Sequence, residues 1–235
     1  MALTETDKKR WAHIDEVLAE HKAELQAATT HTPLREFATA QGWDNRGDFS
    51  KFKHSLRKLG IDYNQLREDA TAEQEDQLAE KAEALAEDID DLEVLEVSTA
   101  ALEDESTGQA SYAITDAAGA ALWYGKFFDD DRTRTAGDLV SAEQSVAEKA
   151  VFLASKVKQD AGLNRLHVAI TTTCPDLDTR ALAARGARDD VAVTVTVDDD
   201  DTRALDIAEL PGYQRWKDND LAGLISSDQE DDDDE

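Results

Sequence analysis

Residues 141–158 constrain the fold more than any other stretch of the chain. Val146, Ala150, Leu153 and Val157 recur at helical spacing and form one apolar stripe. Ser141 with Gln144 has the form of a capping box at the start, and Gly162 is a stop signal beyond the end. Strand-like segments lie on both sides of this helix in sequence. A one-faced helix set among strands packs on a sheet, so this part of the chain reads as α/β. Glu148 is its candidate inward carboxylate. The plainer reading of a helix glutamate beside an apolar stripe is that it faces solvent.

The strands show as alternation. Residues 94–99, 110–115 and 121–128 are the first three, with Asp116 and Gly119 making the turn between the second and third an antiparallel hairpin. Leu166, Val168 and Ile170 alternate in a fourth, residues 166–172. Val191, Val193, Val195 and Val197 alternate in a fifth. A short helix is expected over 177–184 and a last one over 218–226.

Ahead of the strands lies a different pattern. A helix is expected over residues 6–28, with Trp11, Ile14, Leu18 and Leu25 near one face. Thr32 with Pro33 reads as the start of a second, burying Leu34, Phe37 and Ala38. A third is expected over 48–59, with Phe49, Phe52, Leu56 and Leu59 as its stripe and Gly60 as its stop. A short segment, 61–66, closes the unit. Residues 1–67 thus make a small all-helical domain of the size at which helix-turn-helix modules occur.

Charge separates what the chain can touch. It carries 53 Asp and Glu against 25 Lys and Arg, a net of −28. As a whole it is repelled by phosphate backbones and anionic membranes. The acid reads either as a solvated coat, as in a high-salt cytoplasm, or as a surface facing basic partners. Against this background, Arg46, Lys51, Lys53, Arg57 and Lys58 cluster with a single acid, Asp48. They read as a nucleic-acid contact helix or as a face neutralised by the acidic segment that follows. That segment, 68–105, holds 16 acids and one base, Lys81. Within it Leu78, Ala82, Leu85, Ile89 and Leu92 form a heptad-like seam, expected in a connecting helix over 68–91 rather than in a dimer. Residues 227–235 read as a disordered acidic tail.

The remaining chemistry is sparse. Cys174 is the only cysteine, so no internal disulfide framework exists. It precedes Pro175 with no base placed beside it by spacing, and reads as a buried inert thiol. The five histidines, at 13, 21, 31, 54 and 167, have no metal-ligand spacing with one another or with Cys174. There is no glycine-rich phosphate loop. No apolar run reaches the length of a membrane span, and residues 1–10 are polar, so a cytoplasmic protein is expected.

The element order is three antiparallel strands, helix, strand, helix, strand, helix. It resembles the ribonuclease H-like fold, a mixed five-stranded sheet flanked by helices. Four strings over residues 92–226 carry the likeness. Val-Ser-Thr-Ala-Ala at 97–101 resembles the family's first strand, which ends Thr-Asp-Gly. Val-Ala-Glu-Lys-Ala at 146–150 resembles its helix motif Arg-Ala-Glu-Leu-Leu. Ala-Ile-Thr-Thr-Thr-Cys at 169–174 resembles its fourth strand, which ends Thr-Asp-Ser. Asn-Asp-Leu-Ala-Gly-Leu-Ile at 219–225 resembles its final helix motif, Asn-x-x-Ala-Asp-x-Leu. The resemblance implies four carboxylates holding two divalent metals. On these alignments the positions are Ala100, Glu148, Thr173 and Gly223, and one carboxylate does not hold two hard cations. Asp176, Asp178 and Asp220 are the nearest acids that could serve as displaced ligands. The expectation is therefore a non-catalytic ribonuclease H-like binding or interaction module, with no cofactor, touching nucleic acid or a protein partner. Two alternatives stand beside it: a Mg²⁺- or Mn²⁺-dependent nuclease with displaced carboxylates, and a structural or assembly protein working through protein contacts.

Overall fold

In a computed structural model that describes residues 4–104, 107–128, 131 and 134–225, the chain divides into two compact units, Met1–Asp76 and Gln77–Glu235. The expected tail, 227–235, and the last residue of the expected final helix, Ser226, lie outside the described residues.

The first unit contains α1 (Glu5–Glu20), α2 (Lys22–Gln26), α3 (His31–Ala40), α4 (Arg46–Lys58) and the start of α5 (Tyr63–Glu87). The helix expected over 6–28 is interrupted at His21, which ends α1 and precedes α2. α3 is preceded by Thr30 rather than Thr32, so Pro33 falls within the first turn, where its missing N–H is not needed. Asn45 caps α4 by accepting the Asp48 N–H at 3.0 Å, so this helix starts two residues earlier than its stripe suggests. Residues 61–66 are not a separate closing piece, because Tyr63 already opens α5. Phe52 is the centre of the core. Phe37, Trp43 and Phe49 surround it with ring centroids 5.8–6.3 Å away, and Ile14, Leu18, Leu34 and Leu56 are fully buried beside them.

The second unit is a mixed five-stranded sheet with flanking helices. Its strands are β1 (Val94–Asp104), β2 (Gln109–Asp116), β3 (Ala121–Lys126), β4 (Leu166–Thr172) and β5 (Val191–Val197), in the spatial order β3-β2-β1-β4-β5. β1–β2 and β2–β3 are antiparallel, whereas β1–β4 and β4–β5 are parallel. This order is compatible with a ribonuclease H-like fold. α6 (Leu139–Asp160) and α7 (Thr179–Arg188) supply the crossovers, and α8 (Arg203–Ala208) follows β5.

α6 buries the expected stripe: Val146, Ala150, Leu153 and Val157 are all inaccessible. Its cap differs. Asp138 accepts the Ser141 N–H at 3.1 Å, while the Ser141 hydroxyl accepts the Thr135 N–H. Gln144 accepts the Asp178 N–H at 2.9 Å, so no capping box forms. Side chains alternate along β1. Leu95, Val97 and Ala101 join the core under α6, while Ala100 packs with Ala113, Ala204 and Ala208 under α8. α8 is anchored by Arg203, which pairs with the half-buried Asp201 at 2.8 Å; Asp201 in turn accepts the Ser98 hydroxyl at 2.6 Å.

Two further expectations change. The helix over 218–226 is replaced by two 3-10 turns, Trp216–Asp218 and Ala222–Leu224. The Asn219 amide donates to the Leu122 carbonyl of β3 at 2.7 Å, which holds this segment against the sheet edge. The heptad-like seam is used within the unit: Leu85 is buried with Ala187 and Ala192, and Leu78, Ala82, Ile89 and Leu92 pack around them. Among the described residues, no helix is long and apolar enough to cross a membrane.

Candidate functional site

β1 and β4 run side by side in parallel, but the chain leaves β1 toward β2 and leaves β4 toward β5. The direction of connection reverses there, and in open α/β sheets the carboxyl ends of strands at such a point are where ligands bind. Pairing between β1 and β4 ends at Thr99–Thr172, so beyond Ala100 the β4-facing edge of β1 has no strand neighbour among the described residues. Glu143, on α6, fills that gap. Its Oε1 accepts the Ala101 N–H at 2.9 Å. The residue is 4% exposed, and among the described residues Oε2 has no hydrogen-bond partner. Burial pushes this carboxyl up to about 7, with the Ala101 N–H pulling the other way.

Cys174 closes the same end. Its N–H donates to Thr172 Oγ1 at 3.2 Å. Burial pushes the thiol up, and the charges of Glu143 and Asp176 push it further, against one backbone hydrogen bond from Asp176. A thiol held protonated is a weak nucleophile. The only histidine of the second unit, His167, sits at the far end of β4, so the unit's own imidazole is not placed to activate it. Among the described residues, this end of the sheet thus brings together a buried carboxylate tied to the backbone and a buried thiol.

The four positions marked by the family resemblance do not meet here. Glu148 turns toward α7, 3.6 Å from Arg185. Ala100 faces the other side of the sheet, under α8. Thr173 is half-buried just past β4, and Gly223 lies in the Ala222–Leu224 turn. Of the displaced candidates, Asp178 caps α7 by accepting the Ala181 N–H at 2.9 Å, while Asp176 and Asp220 are exposed. Among the described residues, no three His, Cys, Asp or Glu side chains come together as metal ligands. The donor set does not fit a two-metal centre, which needs several carboxylates on one point. Glu143 is the residue that sequence reasoning missed. The signal was present: it lies three residues before Val146 and seven before Ala150, on the apolar stripe.

The basic helix α4 is partly neutralised inside its own unit. Lys51 lies 2.6 Å from Asp15 of α1, with 8% of its side chain exposed. Ser55 donates to the same carboxylate. Lys53 donates to Asn64 at 3.3 Å and stands over the Phe49 ring. Arg57 is 3.6 Å from Asp62. The partners thus come from Asp15 and Asp62, and none of these pairs uses the segment 68–105 that sequence reasoning offered as a neutralising surface. Arg46, Arg57 and Lys58 remain on the outside.

No family model matches the chain, and no curated protein matches it either.

Proposed function

We propose that the chain is a non-catalytic, ribonuclease H-like protein that works as a nucleic-acid-associated binding module. The observation that carries this reading lies at the carboxyl ends of β1 and β4: Glu143, the buried carboxylate there, is bonded to the Ala101 N–H. Strand order and the placement of α6 and α7 support the ribonuclease H-like assignment. The exposed cations Arg46, Arg57 and Lys58 support a phosphate-binding role for α4. The displaced-carboxylate nuclease has less support, since Glu148 and Asp178 already have other partners. The assembly alternative draws less from the 78–92 seam, which packs within its own unit.

Two measurements on the full chain test the reading. Calorimetric titration with Mg²⁺ or Mn²⁺ is expected to give no stoichiometric uptake of two ions. Fluorescence anisotropy at low salt is expected to detect weak nucleic-acid binding that falls steeply as salt rises. Hydrolysis of an RNA–DNA hybrid that disappears in Glu143→Gln or Glu148→Gln would overturn the non-catalytic assignment. An absence of binding to every nucleic acid would overturn the binding role.

A further inference from the structure

The sheet unit holds eight aromatic residues, and all of them gather at one end of the sheet. Tyr112 touches Trp123 and Phe127, Trp123 touches Phe152, and Phe152 touches Trp216, with ring centroids 4.9–6.2 Å apart. Tyr124, Phe128 and Tyr213 complete the set along a groove of about 680 Å³. One wall is β3. The other is the segment 212–217, which pairs with β3 at Tyr124–Gln214 through two backbone hydrogen bonds of 3.0 and 3.1 Å. Gly125 permits this approach, because a Cβ there would stand 3.1 Å from Tyr213 Cβ.

Two properties of the groove are out of keeping with the rest of the unit. Phe128 is 78% exposed and Tyr213 is 73% exposed, whereas the other rings of the unit are at least half-buried. The charged residues lining it are Lys126, Arg215 and Lys217, with no acid among the described lining residues. This occurs in a unit with 38 acids and 14 bases. Lys126 donates to the neutral Gln109, and Lys217 stands over the Trp216 ring. Arg215 is shared with the exposed Asp218 at 3.2 Å.

We infer that this groove binds single-stranded nucleic acid, with bases stacked on Phe128 and Tyr213 and phosphates held by Lys126, Arg215 and Lys217. The site rests on the binding role proposed above and deepens it. Exposed flat rings beside cations match unstacked bases on a charged backbone. A duplex keeps its base faces inside its own stack and offers the rings nothing. None of the contacts involves the sugar, so DNA and RNA strands bind alike.

The test uses the full chain and a short labelled oligothymidylate, a matching oligouridylate and a duplex of equal length, read by fluorescence anisotropy. Phe128→Ala and Tyr213→Ala each remove an exposed ring without opening a cavity, and circular dichroism checks that both remain folded. Each is expected to weaken single-strand binding about tenfold, within the range for loss of one stacked base. Three phosphate contacts give a slope of log affinity against log salt near −2, and Lys126→Gln with Lys217→Gln lowers that slope to below −1 in magnitude. Binding that survives both ring variants but falls in Arg46→Gln with Lys58→Gln would overturn the groove while leaving the binding role intact. No binding to any nucleic acid overturns both. Tighter binding to the duplex, or equal ring-dependent binding to polyglutamate, would also overturn the assignment of a single strand.

Discussion

The two units of this chain use the same residue types in opposite ways. Met1–Asp76 is nearly balanced, with 15 acids and 11 bases, and its aromatic residues cluster around Phe52 in one core. Its cations find acids close at hand, as Lys51 finds Asp15 and Arg10 finds Asp48 at 2.8 Å. Gln77–Glu235 carries 38 acids against 14 bases. The core under α6 is largely alanine, valine and leucine, and the rings are collected at one edge. The lesson is that the net charge of −28 is not a property of the chain as a whole. It belongs mainly to the sheet unit and to the helix leading into it. Local charge, not total charge, decides where an anionic partner can approach.

The largest test of this contrast is Phe52→Ala. Removing the central ring of the aromatic core is expected to cost about 3–5 kcal/mol. Hydrogen exchange should then lose protection over α1, α3 and α4 while β1, β4 and β5 keep theirs. Equal loss in both units would show that they unfold as one body.

Next in size is the pH response of the sheet unit. Glu143 is held near 7, above its ordinary 4.5. Between those values the unfolded chain gives up its proton first, so stability falls as pH rises and the penalty is complete above about 7. It amounts to about 3 kcal/mol. Glu143→Gln keeps an oxygen for the Ala101 N–H and removes the charge, so the variant should be more stable at pH 8 and lose that decline. Asp201 acts in a separate window. The Arg203 and Ser98 hydrogen bonds hold it down to about 2, so its contribution is present above 3.8 and is lost as pH falls toward 2. Denaturant titrations across pH that show no flattening in Glu143→Gln would contradict this.

A tighter probe of the aliphatic core is Gly186→Ala. A Cβ there would lie 2.4 Å from the Val191 carbonyl oxygen and 2.6 Å from Val193 Cγ2. α7 and β5 must separate, at about 1–3 kcal/mol. The loss should appear as earlier melting of the sheet unit, and an unchanged melting temperature would show that α7 shifts freely.

Salt should give the smallest separation per group, since exposed pairs are each worth roughly 0–1 kcal/mol. Screening relieves repulsion mainly where like charges dominate. Melting of the sheet unit should therefore rise with monovalent salt more than melting of the helical unit. Equal shifts would mean that the acids of the second unit do not repel one another in the folded state.

What could be read in the sequence follows from how far each feature depends on distant residues. β4 and β5 match expectation at both ends, because alternation and flanking turns are local. The stripe of α6 is local too. Its start is not: Asp138, not Ser141, accepts the capping bond, and Gln144 is drawn to the N–H of Asp178, 34 residues away. The buried glutamate was ambiguous for a related reason. Ala-Glu occurs at 142–143 and again at 147–148, and only packing decides that the first faces the sheet while the second meets Arg185. Ala100 and Ala101 pose the same problem in a strand, where a shift of one residue exchanges faces. α8 has six residues, too few to show a period, and is anchored through the Arg203–Asp201–Ser98 chain of contacts. The segment after residue 216 has helix-like composition but bonds to the β3 edge.

The C-terminal half of α5 has a consequence for synthesis. Leu85 finds its buried partners at Ala187 and Ala192, roughly a hundred residues later in the chain. At about 5–20 residues per second, the ribosome needs on the order of 5–20 s to deliver them. During that interval the acidic helix has been made, while the surface that receives it has not. Its dense carboxylates keep it hydrated and deter pairing with a neighbouring nascent chain. The same charges that weaken this helix in isolation protect it while it waits.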